Sequence, residues 1–140
     1  MKSDDYQLVE RTPTVEQYLR LRAAVGWRHL DESMAATALA NSLYVVCVLH
    51  DDEVIGCGRI VGDGGVFFYV QDVAILPTFQ GKGLGKRLMT ALMHYIASHA
   101  HAGATIGLMA APGAAGFYTQ FGFEVCPPDR PGMSQIWGEQ

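Results

Sequence analysis

The chain lacks the segments that mark a membrane or a secreted protein. None of its apolar runs approaches the roughly 20 residues that a membrane-spanning helix needs. The first ten residues contain no apolar core of the kind found in signal peptides. We therefore expect a cytoplasmic protein with no membrane partner.

Cysteine and positive charge are also scarce. The three cysteines, Cys47, Cys57 and Cys126, lack the close spacing of a metal site, and their odd number does not suit a disulfide framework. Ten lysines and arginines stand against 14 acidic residues, and this net charge of -4 disfavours nucleic acid as a partner. A composition that is 49% hydrophobic and 17% charged predicts one globular domain, residues 1–140, without a metal.

Two common nucleotide-binding motifs are absent from the glycine-rich segment at residues 80–86. The Walker motif ends in Gly-Lys followed by Ser or Thr, and the chain contains no such tripeptide. The dinucleotide fingerprint requires a third glycine at the position of Lys86. A nucleotide-binding module is therefore a disfavoured interpretation of this segment.

The same segment joins a long apolar strand to an amphipathic helix. The strand covers residues 66–76, and Leu84, Leu88, Leu92 and Ile96 follow it at intervals of one helical turn. Glycines allow a tight turn and a close approach of backbone N–H groups to a ligand, and a helix start adds unpaired N–H groups and a positive dipole end. With two lysines alongside, the pattern predicts a phosphate or pyrophosphate site, and an ordinary glycine-rich turn is the alternative.

The remaining residues predict short alternating strands and helices. The capping-box pattern from Thr14 to Gln17 opens the first helix. Strands are expected at residues 7–11, 43–49, 54–61, 66–76, 104–109, 123–125 and 134–137, and helices begin near residues 15, 33, 84 and 116. This order, β-α-α-β-β-β-α-β-α-β-β, predicts an α/β fold with a mixed sheet flanked by helices.

Two motifs in this order resemble those of the GCN5-related N-acetyltransferases. Gln80-x-x-Gly83-x-Gly85 resembles the acetyl-CoA loop of that family, and residues 117–123 resemble its later Phe-Tyr-x-x-x-Gly-Phe signature. The agreement in spacing and order covers nearly the whole chain. The chain departs from many members at Thr119 and Gln120 and lacks an asparagine before Tyr118. The resemblance implies the fold of that family and acetyl-CoA as co-substrate.

The resemblance also implies roles for individual residues. The Val73 amide is expected to face the thioester oxygen, and Ile75 to pair its backbone with the pantetheine arm of the co-substrate. Tyr118 is expected to protonate the departing thiolate, whereas simple aromatic packing is the alternative. Trp27 and His29 fall in the segment that roofs the acceptor site, although a core tryptophan beside a surface histidine is equally expected. The cofactor-binding loop comprises Gln80, Gly81, Lys82, Gly83, Leu84, Gly85 and Lys86.

Asp72 is the one acidic residue in the long apolar strand. Burying a carboxylate there is costly unless it is paired or used. We expect it to accept the proton of the amine or to anchor the ammonium group, and a structural carboxylate hydrogen-bonded to the backbone or to Arg59 on the next strand is the alternative. Phe68, Val70 and Ala74 are expected to share its face, which leaves the carboxylate without a partner until substrate binds.

Together these features predict an enzyme that transfers an acetyl group from acetyl-CoA to a primary amine. The amine belongs to a small molecule or a peptide and attacks directly in a ternary complex. A non-catalytic acyl-CoA-binding sensor is the alternative, because the motif departs from the family before and after Tyr118. The expected partner is the amine substrate, with homodimerisation left open.

Overall fold

Five strands form one sheet in the structure, a computed structural model that describes residues 5–138. The first four residues, part of the start that lacks a signal core, lie outside the described residues. The sheet order is β1 (Gln7–Glu10), β2 (Tyr44–His50), β3 (Glu53–Gly62), β4 (Phe67–Ile75) and β5 (Thr105–Gly107). The first four strands are antiparallel to their neighbours and β5 is parallel to β4, which confirms the predicted mixed sheet.

Four α-helices accompany the sheet within residues 5–138: α1 (Val15–Ala24), α2 (Glu32–Ala40), α3 (Leu84–His99) and α4 (Ala115–Thr119). The capping box of α1 is confirmed, because the Gln17 amide donates to Thr14 Oγ1 at 3.1 Å and the Thr14 amide donates to Gln17 Oε1 at 2.9 Å. The predicted apolar face of α3 is buried. None of the described helices is both long and apolar enough to span a membrane.

A hairpin joins β2 to β3 and brings two cysteines opposite each other. Asp51 and Asp52 form its turn with φ values of 51° and 67°, as a two-residue hairpin loop that follows the twist of the strands requires. Cys47 and Cys57 are register partners across the two strands, and both are buried free thiols. Burial raises the pKa of Cys47 to about 11, so both side chains behave as core residues.

The chain divides into two compact units, the first ending at Met109 and the second beginning at Ala110. The sheet and the first three helices belong to the first unit, where Leu21 of α1 packs with Cys47, Cys57 and Ala74 of the sheet. That residues 1–140 form a single domain stays a prediction.

The second unit contains α4 and no strand within the residues described up to 138. The predicted strands at residues 123–125 and 134–137 are therefore wrong. Residues 123–125 and 134–137 are not paired with each other or with another described strand, although the three prolines of this segment, Pro127, Pro128 and Pro131, lie outside both predicted strands. Val125 and Trp137 are 78% and 89% exposed, so neither segment buries an apolar face.

A bulge interrupts β4 at Asp72. Arg59 of β3 is opposite Gln71 and Cys57 is opposite Ala74, so β4 has one residue more than β3 over this stretch. Asp72 has a φ of 58°, which is uncommon for a residue other than glycine. An extra residue in one strand bends that strand and reverses the alternation of its side chains.

Because of the bulge, the side chain of Asp72 does not share a face of the sheet with Phe68 and Val70, contrary to the prediction from the sequence. A Cβ atom at Gly58 would lie 3.0 Å from Leu92 of α3, so Gly58 and the next residue on its face, Ile60, point towards α3. Val70 is paired with Ile60 and shares this face, as does Phe68 two residues before it. The Asp72 carboxylate instead contacts side chains of α1, on the opposite face of the sheet. Of the three residues predicted to share its face, Ala74 does so, because it packs with Leu21 of α1.

Candidate active site

The second half of β4 forms an open edge of the sheet. β5 pairs with β4 only at Phe67, Phe68 and Tyr69. Beyond Tyr69, the part of β4 that contains the bulge has no register partner on β5. An exposed strand edge presents N–H and C=O groups that an extended ligand can pair with, as an added strand would.

The start of α3 follows this edge and is left uncapped. Gly83 is the N-cap residue, with a φ of 78°, and no side chain caps the first turn. The first helical bond runs from the Arg87 amide to the Gly83 carbonyl at 3.2 Å, so the preceding N–H groups have no partner within the helix. A Cβ atom at Gly83 would meet nothing within 4 Å, so the backbone there is open to a ligand.

Positive side chains surround this helix start. Lys82 and Lys86 are exposed beside it. Lys86 also lines a groove together with Arg87, His94 and Gly83. The helix dipole and the positive charges of Lys82, Lys86 and Arg87 together favour a bound anion.

Gln80 has a structural contact that its motif position did not predict. Its side-chain amide donates to the Ile75 carbonyl at 2.9 Å, which ties the loop back to the end of β4. The Gln80 side chain therefore holds the turn between the strand edge and the helix start. The carbonyl of Ile75 accepts this bond, and the pairing of Ile75 with a pantetheine arm stays a prediction.

The Asp72 carboxylate is already surrounded by donors. Its Oδ2 accepts hydrogen bonds from the Tyr18 hydroxyl at 2.5 Å and from Arg59 Nε at 2.7 Å, and its Oδ1 accepts one from Arg22 Nη1 at 3.2 Å. The side chains of Asp72, Arg22 and Arg59 are 10%, 12% and 13% exposed. The Asp72 carboxylate was expected to have no partner until substrate binds. Side chains of α1 and β3 supply its partners instead. We call these four residues the carboxylate cluster.

The cluster changes the ionisation of its other members. Burial and the hydrogen bond to Asp72 both raise the pKa of Tyr18, so this phenol stays protonated and donates. Burial alone would lower the pKa of Arg59, but its hydrogen bond and attraction to Asp72 outweigh that effect and raise it. The cluster therefore holds two guanidinium ions against one carboxylate.

Arg22 connects the cluster to the loop after α1. Its Nη2 donates to the Arg28 carbonyl at 3.1 Å, and its guanidinium carbon lies 5.4 Å from the centre of the Trp27 ring. Its Nε is a buried donor that has no acceptor within residues 5–138. Trp27 packs against the core, whereas His29 is exposed. Of the two predicted acceptor residues, Trp27 is therefore the one tied to the carboxylate cluster.

The sequence did not predict Tyr18 and Arg22 as site residues. They are four residues apart on α1, so they lie on one face of the helix. A tyrosine and an arginine on the apolar face of a helix need a polar partner, and the single carboxylate of the apolar strand was the available one. That pairing is the signal that could have found them.

Tyr118 lies in the second unit, on α4. Its ring contacts Phe117 and Phe123 edge to face. Its hydroxyl makes no hydrogen bond within the residues that the structure describes. Burial raises the pKa of Tyr118, so the phenol keeps its proton at neutral pH and remains able to donate it.

The first unit therefore has the geometry of a protein that binds an extended, phosphate-bearing ligand. The strand edge offers backbone groups along its length, and the uncapped helix start at its end offers N–H groups and positive charge. These two features fit a nucleotide-linked pantetheine chain such as that of acetyl-CoA.

Comparison with known proteins identifies the family. The sequence profile of the acetyltransferase (GNAT) domain matches residues 41–125. An uncharacterised ycf52-like N-acetyltransferase from Prochlorococcus marinus is 33% identical over 132 residues, which cover 89% of this chain and 72% of the relative. The histone acetyltransferase TAP1 of Glycine max is 31% identical, covering 94% of this chain and 68% of the relative.

Solved structures agree with this assignment. A probable acetyltransferase of unknown function from methicillin-resistant Staphylococcus aureus superposes with a TM-score of 0.90 at 32% identity, covering 95% of this chain and all of that one. A GNAT-family acetyltransferase from Streptococcus pneumoniae gives a TM-score of 0.78 at 31% identity, with 96% and 100% coverage. The chain belongs to the GCN5-related N-acetyltransferase family, and the predicted family and fold class are confirmed.

Proposed function

We propose that the chain transfers the acetyl group of acetyl-CoA to a primary amine in a ternary complex. The observation that carries the proposal is the open, bulged edge of β4 ending beside the uncapped start of α3. Family membership supports acyl transfer in general. The proposal adds to this that acetyl-CoA is the donor, that a primary amine is the acceptor and that the amine attacks the thioester directly.

The co-substrate would be held by backbone groups. The N–H groups at the start of α3, with Lys82 and Lys86, suit its pyrophosphate, and the Gly83 position leaves room for the close approach. The edge of β4 at Ile75 suits the amide groups of the pantetheine arm. The thioester would then lie against the bulge, where the Val73 N–H is the proposed donor to its oxygen. One such donor contributes about 3 kcal/mol to the stability of the developing negative charge.

Two proton transfers complete the reaction. The attacking amine must lose a proton, which costs about 4 kcal/mol for a lysine-like amine near pH 7. Asp72, directly or through water, is the proton acceptor predicted from the sequence. The departing sulfur must gain a proton, and Tyr118 is the proposed donor because its phenol is protonated and its hydroxyl is not committed to another described group.

The acceptor would be a small-molecule amine or a peptide amine. The printed name of the relative from Glycine max, a histone acetyltransferase, supports including a lysine-bearing peptide among the candidates. The loop around Trp27 and His29 is the proposed acceptor contact. We also propose a cytoplasmic protein that uses no metal and does not bind nucleic acid.

One observation favours a second function, an acyl-CoA-binding module without turnover. The carboxylate predicted to take the proton of the amine is already paired with Arg22, Arg59 and Tyr18. Three side-chain donors already occupy its two oxygens, which leaves less room for the ammonium group of an acceptor. A binding module would need the strand edge and the helix start but no proton acceptor.

The two functions are separated by measuring coenzyme A release with a panel of amines. The panel contains polyamines, amino sugars, arylalkylamines and lysine peptides, and calorimetry measures acetyl-CoA binding in parallel. Turnover with at least one amine above the rate of thioester hydrolysis is expected for the enzyme. Acetyl-CoA binding without turnover on any amine would support the binding module. The absence of acetyl-CoA binding would contradict both functions.

A further inference from the structure

The bulge at Asp72 combines backbone strain with an unusual number of side-chain restraints. Within residues 5–138, three non-glycine residues have positive φ, and two of them, Asp51 and Asp52, form the hairpin turn. Asp72 is the one that lies inside a strand. A left-handed backbone conformation is unfavourable for a residue that has a side chain, so inside a strand it persists only where its surroundings hold it.

The restraints reach Asp72 from two neighbouring elements. Tyr18 and Arg22 approach its carboxylate from α1, and Arg59 approaches it from β3. Three donors on two oxygens, two of them from guanidinium groups, fix the position of a short side chain. The side chain of aspartate has only two torsion angles, so fixing its carboxylate also restrains the backbone to which it is attached.

The peptide group between Asp72 and Val73 has a restraint of its own. The Cys57 thiol lies 3.5 Å from the Asp72 carbonyl oxygen and donates to it. The peptide bond is planar and trans, so the Val73 N–H points in the direction opposite to that carbonyl. The contact that holds the Asp72 carbonyl towards Cys57 therefore aims the Val73 N–H away from Cys57.

We propose that Asp72 is a positioning residue, whose carboxylate, held by Tyr18, Arg22 and Arg59, fixes the bulge that aims the Val73 N–H at the reacting oxygen. The expected effect on turnover rests on the proposed acetyl transfer, whereas the expected effect on the conformation of the bulge does not. In this role the carboxylate acts on the reaction through the backbone, and it replaces the role of proton acceptor that the proposed function gave to Asp72. The proton of the amine then leaves to water or to another group.

Three substitutions test the positioning role. Asp72→Asn keeps the shape of the side chain and removes its charge, and Tyr18→Phe removes one donor without changing any charge. Tyr44→Phe is the matched control, because Tyr44 stacks on Tyr95 of α3 and takes no part in the carboxylate cluster. Steady-state kinetics over a range of pH and amide chemical shifts of Val73 are measured for each variant.

The positioning role predicts a loss of kcat with little change in KM. A displacement of about 1 Å can cost on the order of a hundredfold, so we expect about that loss for Asp72→Asn and on the order of tenfold for Tyr18→Phe. The pH–rate curves of both variants should keep the shape of the wild-type curve, because no proton acceptor has been removed. The Val73 amide shift should move in both variants and stay unchanged in Tyr44→Phe.

Other outcomes would overturn the inference. If Asp72→Asn alone makes the rate climb more steeply with pH, Asp72 is the base. An unmoved Val73 amide in folded Asp72→Asn would show that the carboxylate does not hold the bulge. Should Asp72→Asn fail to fold, Tyr18→Phe still decides, and an unchanged kcat together with an unmoved Val73 amide would then sink the proposal. A wild-type protein that turns over no amine would remove the proposed function, whereas the Val73 shift would still test the restraint.

Discussion

The carboxylate cluster and the first turn of α3 are both strongly polar regions of the first unit. The Asp72 carboxylate has hydrogen-bond partners within the protein, whereas the first N–H groups of α3 have none within the helix. Each oxygen of Asp72 has at least one donor, and Oδ2 has two. At the start of α3 no side chain caps the helix, and Gly83 supplies no side chain at all. Both regions flank the same open strand edge.

The two regions differ in whether their polar groups are available to a ligand. A buried polar group that is fully paired contributes to one fixed conformation, and removing one partner leaves the others unsatisfied. Unpaired N–H groups at a surface are satisfied by water and can exchange that water for an anion at little cost. Substitutions in the carboxylate cluster should therefore affect stability and geometry, and substitutions at the helix start should affect co-substrate affinity.

The largest effect is expected from Arg59→Gln. Removing one partner of a buried ion pair typically costs about 3–5 kcal/mol, and Arg59 also donates to Ser42 Oγ at 3.2 Å. Urea denaturation should show this loss in the free energy of unfolding. Arg20→Gln is the control, because Arg20 is an exposed arginine of α1 outside the cluster and should change stability by less than about 0.5 kcal/mol. Equal stability of both variants would contradict the view of the cluster as a fixed buried unit.

A smaller effect, on turnover, is expected from Tyr118→Phe. The hydroxyl of Tyr118 has no partner within the described residues, so its removal should leave the aromatic packing and the stability intact. Loss of a general acid lowers kcat by about a hundredfold, or about 2.7 kcal/mol. Single-turnover kinetics with a saturating amine would measure it. Unchanged turnover at matched stability would assign Tyr118 to packing alone.

The smallest of the three effects is expected for co-substrate affinity in Gly83→Val. Losing one or more charge-assisted hydrogen bonds to the pyrophosphate should weaken acetyl-CoA binding by about tenfold or more, as measured by calorimetry. The control is Gly103→Val, because Gly103 also has a positive φ, 99°, and empty space around its missing Cβ. Both variants carry backbone strain, so their stabilities should fall together. Wild-type affinity in folded Gly83→Val would show that the loop does not bind the pyrophosphate.

Regular features of this fold could be predicted from the sequence, because each depends on neighbouring residues. The period of Leu84, Leu88, Leu92 and Ile96 predicted α3, and the capping box predicted the start of α1. The bulge could not be predicted in this way. Nothing in the residues next to Asp72 indicates a left-handed backbone, and its placement depends on partners up to 54 residues away along the chain.

The missing strands at the end of the chain have a different cause. The sequence predicted strands at residues 123–125 and 134–137, but a strand forms only when another chain segment completes its hydrogen bonds. Such pairing is a non-local property. In the first unit the edge of β4 beyond Tyr69 is likewise unpaired, and no local pattern in the sequence marks it.

The rates at which the three cysteine thiols react with a labelling reagent can report local opening of this protein. Cys126 is exposed and should react with a thiol reagent at once, whereas Cys47 and Cys57 are buried on facing strands of the sheet. A buried thiol reacts only during the brief periods in which its surroundings open, so its labelling rate measures the free energy of that opening. Because Cys57 also contacts the Asp72 carbonyl, its labelling in the presence and absence of acetyl-CoA would record how firmly the ligand closes the bulged part of the sheet.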